Sequence, residues 1–76
     1  MAQRLIVGLH PNTDWGPVQS KLTAAGAEQV RGTSPELPDV LLVTIPSGLN
    51  LEEFLRQTRT WPGVRYAEAD TWQFSL

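Results

Sequence analysis

The pattern of apolar and polar positions divides the chain into six short elements. Four segments have the β-branched or apolar composition of strands, and two place apolar residues at the three- and four-residue spacing of a helix. The predicted strands span residues 4–10, 28–33, 40–45 and 64–70, and the predicted helices follow residues 14 and 50. The resulting order, strand-helix-strand-strand-helix-strand, consists of two similar halves.

Both predicted helices carry signals for their ends. Thr13 or Asp14 can cap the first helix by accepting a hydrogen bond from a free N–H of its first turn, and Gly26 suits the position just past its end. Asn50, followed three residues later by Glu53, has the spacing of a capping box for the second helix. Helical spacing predicts that Trp15, Val18, Leu22, Ala25, Leu51, Phe54, Leu55 and Thr58 face inward, and that Glu52, Glu53, Arg56 and Arg59 face outward.

The segment before the third predicted strand contains two prolines. Because proline cannot donate to a strand ladder, residues 33–39 are predicted to form a turn. Residues 40–45 do not alternate between apolar and polar, which is typical of a strand covered on both faces. Two helices cover only one face of a small sheet, so the other face of this strand is either unused or meant for a partner. The predicted fold is α+β and ferredoxin-like, with a four-stranded antiparallel sheet and two helices on one face.

Composition limits the classes of function. The 76 residues suffice for one domain with a modest core, for which a stability of about 3–5 kcal/mol is typical. The chain has no cysteine and a formal net charge of −2 with scattered basic residues, so it offers neither disulfides nor a basic patch for nucleic acid. The apolar run at 5–7 is too short for a membrane span or a signal peptide. We expect no nucleic-acid partner, no membrane partner and a monomer when free.

The chain lacks the usual groups of a catalytic or metal site. His10 is the single histidine and precedes a proline at a strand end, a position typical of an exposed loop residue. No serine has a plausible base in a triad pattern, and the single, scattered glycines form no phosphate loop. Clustered carboxylates with ligand spacing are missing from the sequence as well. We therefore expect a protein that is not an enzyme and binds neither cofactor nor metal.

Two carboxylates stand two residues apart near the end of the last predicted strand. On an extended strand Glu68 and Asp70 share a face, and strand parity adds Val64 and Tyr66 to it. One interpretation is a solvated strand end. The other is an anion pair presented to the positive ends of helices in a partner, which favour a negative charge by about 0.3–2 kcal/mol each.

The six residues after this strand are unusually apolar for a chain end, which is commonly polar and frayed. Trp72, Phe74 and Leu76 alternate with polar residues. One interpretation is that the aromatic residues fold back on the domain. The other is that the tail binds in extended form in a groove of another protein, where main-chain bonds give affinity and alternate side chains enter pockets.

The whole chain resembles the propeptide domains (inhibitor I9-type) of subtilisin-like serine proteases, which also occur as stand-alone inhibitors. The resemblance rests on LIVGL at 5–9, VTIPSG at 43–48, the Phe54-Leu55 pair and PGVRYAEAD at 62–70. The last segment is the most specific, because it closely matches the family pattern Pro-Gly-Val-x-Tyr-Val-Glu-x-Asp.

The resemblance implies an intramolecular chaperone that helps the protease domain to fold and then remains bound as an inhibitor. In such proteins the sheet packs on two surface helices of the protease, and Glu68 and Asp70 match the acidic pair that caps those helices, with Tyr66 on the interface strand. Residues 1–70 would form the inhibitor domain, and 71–76 the tail that lies in the protease cleft like a bound product. The tail residues implied to bind the protease are Trp72, Gln73, Phe74, Ser75 and Leu76, with Leu76 in the primary specificity pocket.

Two residues depart from the family pattern. Ala67 replaces a larger apolar residue, which loosens the packing of that strand. Gln73 stands where subtilisins favour an apolar or aromatic side chain, so either the partner has a different pocket or the tail shifts by one residue to seat Phe74. Secretion as part of a precursor is favoured by the resemblance, although the sequence does not fix the compartment.

A competing interpretation is a small-ligand-sensing regulatory domain of the same topology that dimerises through its sheet. It explains the apolar strand at 40–45 equally well. It does not explain an acidic pair followed by an aromatic tail.

Overall fold

The computed structural model describes residues 2–70, which form the six expected elements in the expected order. The strands are β1 (Gln3–Leu9), β2 (Gln29–Ser34), β3 (Leu37–Ile45) and β4 (Val64–Ala69), and the helices are α1 (Trp15–Ala24) and α2 (Leu51–Thr58). All strand pairs are antiparallel, and they form one sheet in the order β2-β3-β1-β4. The predicted α+β fold is thereby confirmed. Neither helix of the described chain is long and apolar enough to cross a membrane.

The hydrophobic core lies between the helices and one face of the sheet. Every second residue of the two central strands is buried there, namely Leu5, Val7, Leu9, Leu41, Val43 and Ile45. The helices cover these side chains with Val18, Leu22, Phe54, Leu55 and Thr58, all buried as the helical spacing predicts. Trp15, Ala25 and Leu51 pack against the same cluster and are partly buried.

Side chains cap both helices at their N-terminal ends. Of the two candidates for α1, Asp14 is the cap, and its Oδ1 accepts a hydrogen bond from the Gly16 N–H at 3.0 Å. Asn50 caps α2 by accepting from the Glu53 N–H at 3.0 Å. The Glu53 side chain, expected to complete the capping box, instead forms an ion pair with Arg56, whose Nη2 lies 2.9 Å from its Oε2.

The turn predicted at 33–39 is shorter than expected, because β3 already begins at Leu37. The pairing of β2 with β3 shifts between Gly32 and Ser34, and β1 pairs with β3 only as far as Val40. Pro38 consequently has no register partner on either neighbouring strand of the described chain. Its missing N–H therefore costs no ladder bond, which explains why a proline is tolerated inside this strand.

A register shift also corrects the predicted orientation of β4. Tyr66 pairs with Gly8, but Val64 rather than Arg65 pairs with Leu9, so Arg65 is an extra residue. A bulge of this kind reverses the alternation of side chains beyond it. Val64 therefore turns into the core, and the prediction that it shares a face with Tyr66 is wrong.

Candidate functional site

The face of the sheet turned away from the helices, here called the outer face, consists of every second residue of each strand. The strand register places these residues in three rows that run from β2 across β3 and β1 to β4. The first row is Gln29, Thr44, Arg4 and Asp70; the second row is Arg31, Leu42, Ile6 and Glu68; the third row includes Val40, Gly8 and Tyr66. Asp70 is joined to its row by its N–H, which donates to the Arg4 carbonyl at 3.0 Å.

The centre of the outer face is apolar. Ile6, Leu42 and Val40 lie on the two central strands. They are only partly buried, because no helix of residues 2–70 lies over them. Strand residues of this kind normally belong to a covered surface. The central part of the outer face is therefore suited to contact with another apolar surface.

An aromatic side chain extends this apolar centre towards β4. The Tyr66 ring lies over Gly8, where a Cβ atom would come within 2.0 Å of the ring carbon Cε2. The Arg65 guanidinium lies 5.6 Å from the centre of the same ring, within the range of a cation–π contact. The absence of a side chain on Gly8 thus gives Tyr66 a fixed position on the outer face.

Opposite charges stand at the two edges of the second row. Arg31 on β2 and Glu68 on β4 are both exposed, and neither forms an ion pair within the described part of the chain. Three strand spacings separate them, or about 14 Å. The outer face is therefore apolar in the middle, cationic at the β2 edge and anionic at the β4 edge.

Asp70 differs from Glu68 in its surroundings. Its side chain is only 6% exposed, and its Oδ2 atom lies 3.8 Å from Nε of Arg4. Its Oδ1 atom is buried and has no hydrogen-bond partner among the described residues. An unsatisfied buried acceptor is costly, so a new donor to this oxygen would be favourable, but the carboxylate has to turn outward before a donor from outside the domain can reach it.

Among residues 2–70, the strand register brings together the site residues that the sequence analysis identified. Glu68, Asp70 and Tyr66 share the outer face, in agreement with strand parity. The tail residues Trp72, Gln73, Phe74, Ser75 and Leu76 lie outside the described residues. His10 is exposed beyond the end of β1. Within residues 2–70 no group of three or more His, Cys, Asp or Glu side chains is placed to hold a metal ion.

The structure adds one contact that helical spacing does not predict. Arg59, expected to face outward, donates from Nε and Nη2 to the Ala67 carbonyl at 3.0 and 2.7 Å. This fork links the end of α2 to the free edge of β4. The close approach of Tyr66 to Gly8 was also missed, although an isolated glycine inside a strand is a known signal for such an approach.

A shallow groove of 260 Å³ borders the third row at the β2–β3 hairpin. Its lining includes Leu37 and Pro38 together with the charged residues Glu36, Asp39 and Arg65. Leu37 is 54% exposed, more than any other large hydrophobic residue of the described chain. The groove continues the apolar surface of the outer face beyond the ends of β1 and β4.

No protein-family model, curated protein or solved structure matches this chain. The family resemblance therefore rests on the sequence motifs quoted above. Any inference about the function of the outer face rests on its geometry and charge.

Proposed function

We propose that this chain is a propeptide-type inhibitor and folding assistant of a subtilisin-like serine protease. The observation that carries the proposal is the position of Glu68, Tyr66 and Asp70 on the outer face of the sheet. They lie on the strand from which the chain continues into its apolar tail. An acidic pair, an aromatic anchor and a tail are thus supplied by consecutive parts of one segment.

The outer face has the composition of a docking surface. Its apolar centre around Ile6 and Leu42 would pack on surface helices of the protease, and the carboxylates at the β4 edge would meet the N-terminal ends of those helices. Free N–H groups there are natural donors to carboxylates. Glu68 is exposed, and the Oδ1 of Asp70, which has no partner within residues 2–70, would become a second acceptor beside it once this carboxylate turned outward.

The tail supplies the inhibition. Six residues in extended form reach about 20 Å, enough to pass from the sheet edge into a neighbouring cleft. In this proposal Leu76 occupies the primary specificity pocket, and Ser75, Phe74 and Gln73 follow away from it. A product-like peptide held by a docked domain blocks the active site without any catalytic group of its own.

The same docking accounts for assistance in folding. A ligand that binds the native protease but not the unfolded chain stabilises the native state by mass action. Carboxylates at the ends of two helices also stabilise those helices directly, by about 0.3–2 kcal/mol each. The chain would act as one copy per protease, without cofactor, nucleic acid or membrane.

The test compares inhibition of a subtilisin-type protease by the full chain and by a chain that lacks residues 73–76. The proposal predicts potent inhibition by the full chain and at least a hundredfold weaker inhibition after truncation. Circular dichroism of both chains verifies that the truncation leaves the domain folded. A folded full-length chain that inhibits none of several subtilisin-type proteases would overturn the proposal.

The regulatory-domain alternative is also compatible with the apolar centre around Ile6 and Leu42, over which no helix of residues 2–70 lies. It predicts a tight dimer that persists at nanomolar concentration and without residues 71–76. It predicts no protease inhibition. Size in solution at nanomolar concentration, measured beside the inhibition assay, separates the two functions.

A further inference from the structure

We propose that, at high concentration, two copies of this chain pair through their outer faces in a weak twofold dimer. The order of residues in the second row leads to this inference. Reading from β2 to β4, the row presents a cation, two aliphatic side chains and an anion: Arg31, Leu42, Ile6 and Glu68. Such a row is complementary to its own reversed copy.

A twofold axis that lies between the two faces and runs parallel to the strands produces this reversal. It turns the second sheet over, so that its β4 edge lies above the β2 edge of the first. Arg31 then faces Glu68 of the second copy, and Leu42 faces Ile6 of the second copy. Because the interface is isologous, each of these contacts occurs twice.

The charges also select this axis over the other face-to-face arrangement. An axis in the plane between the faces but perpendicular to the strands would place each edge of the sheet above the same edge of the second copy. Arg31 would then face Arg31, and Glu68 would face Glu68. Like charges brought together in an interface are strongly unfavourable, so the parallel axis is the arrangement that the second row permits.

The remaining rows are compatible with the same axis. In the first row, Gln29 faces Asp70 of the second copy, whose Oδ1 lacks a partner within residues 2–70, and Thr44 faces Arg4. In the third row, Val40 lies above Gly8 of the second copy, next to the Tyr66 ring. No pair of like charges meets, and strands that run in nearly the same direction are normal for two packed sheets.

The size of the face predicts a weak association. Four strands and three rows cover about 20 by 20 Å, or about 800 Å² for both copies together. This lies below the 1,200–2,000 Å² of stable complexes, so we expect a weak association. At inhibitory concentrations the chain remains the monomer expected from its sequence. Dimerisation and protease docking use the same face, so each excludes the other.

The test is sedimentation equilibrium of the free chain from about 20 µM to about 2 mM, a range that brackets a weak interface. The variants are Arg31→Glu, Glu68→Arg, the double variant and an equimolar mixture of the two single variants. Glu52→Arg is the matched control, because it makes the same charge change on the exposed side of α2. Circular dichroism verifies that each variant is folded.

We expect the average molar mass of the wild-type protein to rise with concentration towards that of two chains. Each single reversal should raise the dissociation constant at least about tenfold, because it creates two like-charge contacts. The double variant and the mixture should both regain association, since each restores two pairs of opposite charges, and Glu52→Arg should change little. A wild-type chain that stays monomeric at about 2 mM would overturn the proposal, and so would a double variant that associates no better than the single ones.

Discussion

The Tyr66 ring lies over Gly8 of the neighbouring strand, so close that a Cβ on Gly8 would come within 2.0 Å of ring carbon Cε2. The two residues are directly paired in the register of β1 and β4. Gly8 is buried by this contact although it lies on the outer face. The only tyrosine of the chain is thereby held across the sheet surface, in the row next to that of Ile6 and Glu68.

The first prediction concerns this pair. Gly8→Ala should destabilise the chain by about 1–3 kcal/mol, because the added methyl group forces the ring off the sheet. In a Tyr66→Ala background the same substitution should become neutral or stabilise by about 0.5–1 kcal/mol, because alanine loses less backbone entropy than glycine on folding. Urea denaturation of the four chains measures both effects. An equal cost of Gly8→Ala in both backgrounds would show that the ring does not cause it.

The second prediction concerns Arg59 and the free edge of β4. Arg59→Met keeps the aliphatic stem but loses both hydrogen bonds to the Ala67 carbonyl, and it should cost about 1–2 kcal/mol. Arg59→Lys should recover only part of this, since an ammonium group lacks the planar fork. Arg56→Met is the control, because its exposed ion pair with Glu53 should contribute less than about 1 kcal/mol. Equal losses of unfolding free energy for Arg56→Met and Arg59→Met would contradict this role.

The contrast between α2 and β4 shows which parts of the fold are readable from sequence. Helical spacing alone identifies Phe54, Leu55 and Thr58 as buried, and the cap at Asn50 is a local signal as well. The orientation of Val64 instead depends on a register shift against β1, which no local pattern of β4 reports. Pro38 was misjudged for a similar reason, because its tolerance depends on where β1 stops pairing.

The candidate site divides in the same way. Parity along one strand suffices to place Glu68 and Asp70 on one face, and this part was predicted. The alignment of Arg31 with Glu68 depends on the register of three successive strand pairs and was not predictable. The burial of Asp70 beside Arg4 likewise follows from packing rather than from spacing.

The third prediction concerns overall stability. A chain of 76 residues without disulfides should unfold with a free energy of about 3–5 kcal/mol. Leu22 on α1 is fully buried in the core, and Leu22→Ala should cost about 2–5 kcal/mol, enough to unfold much of the population without a partner. Thr23→Ala, at the exposed neighbouring position, should change stability little. A urea midpoint for Leu22→Ala close to that of the wild type would refute the role of this side chain, and a wild-type free energy of unfolding well above about 5 kcal/mol would refute the marginal stability.

The fourth prediction tests the acidic pair in protease binding. Glu68→Gln with Asp70→Asn keeps the size of both side chains and removes their charges, and it should weaken binding by about 1–3 kcal/mol. The control is Glu28→Gln with Glu52→Gln, two exposed glutamates away from the outer face. The measurement is the inhibition constant against a subtilisin-type protease, with urea denaturation of each free chain in parallel. Unchanged inhibition by the Glu68 and Asp70 variant would remove the proposed contact with helix ends.

The single variants of that pair separate docking from folding. Glu68 is exposed and unpaired within residues 2–70, so Glu68→Gln should weaken inhibition and leave the free chain equally stable. Asp70 is buried beside Arg4, but its Oδ1 has no partner in the described chain. If that oxygen receives a donor from the protease, Asp70→Asn should lose more binding free energy than folding free energy. A larger loss of folding free energy would instead assign Asp70 to the sheet, through its contact with Arg4, and leave Glu68 as the docking carboxylate.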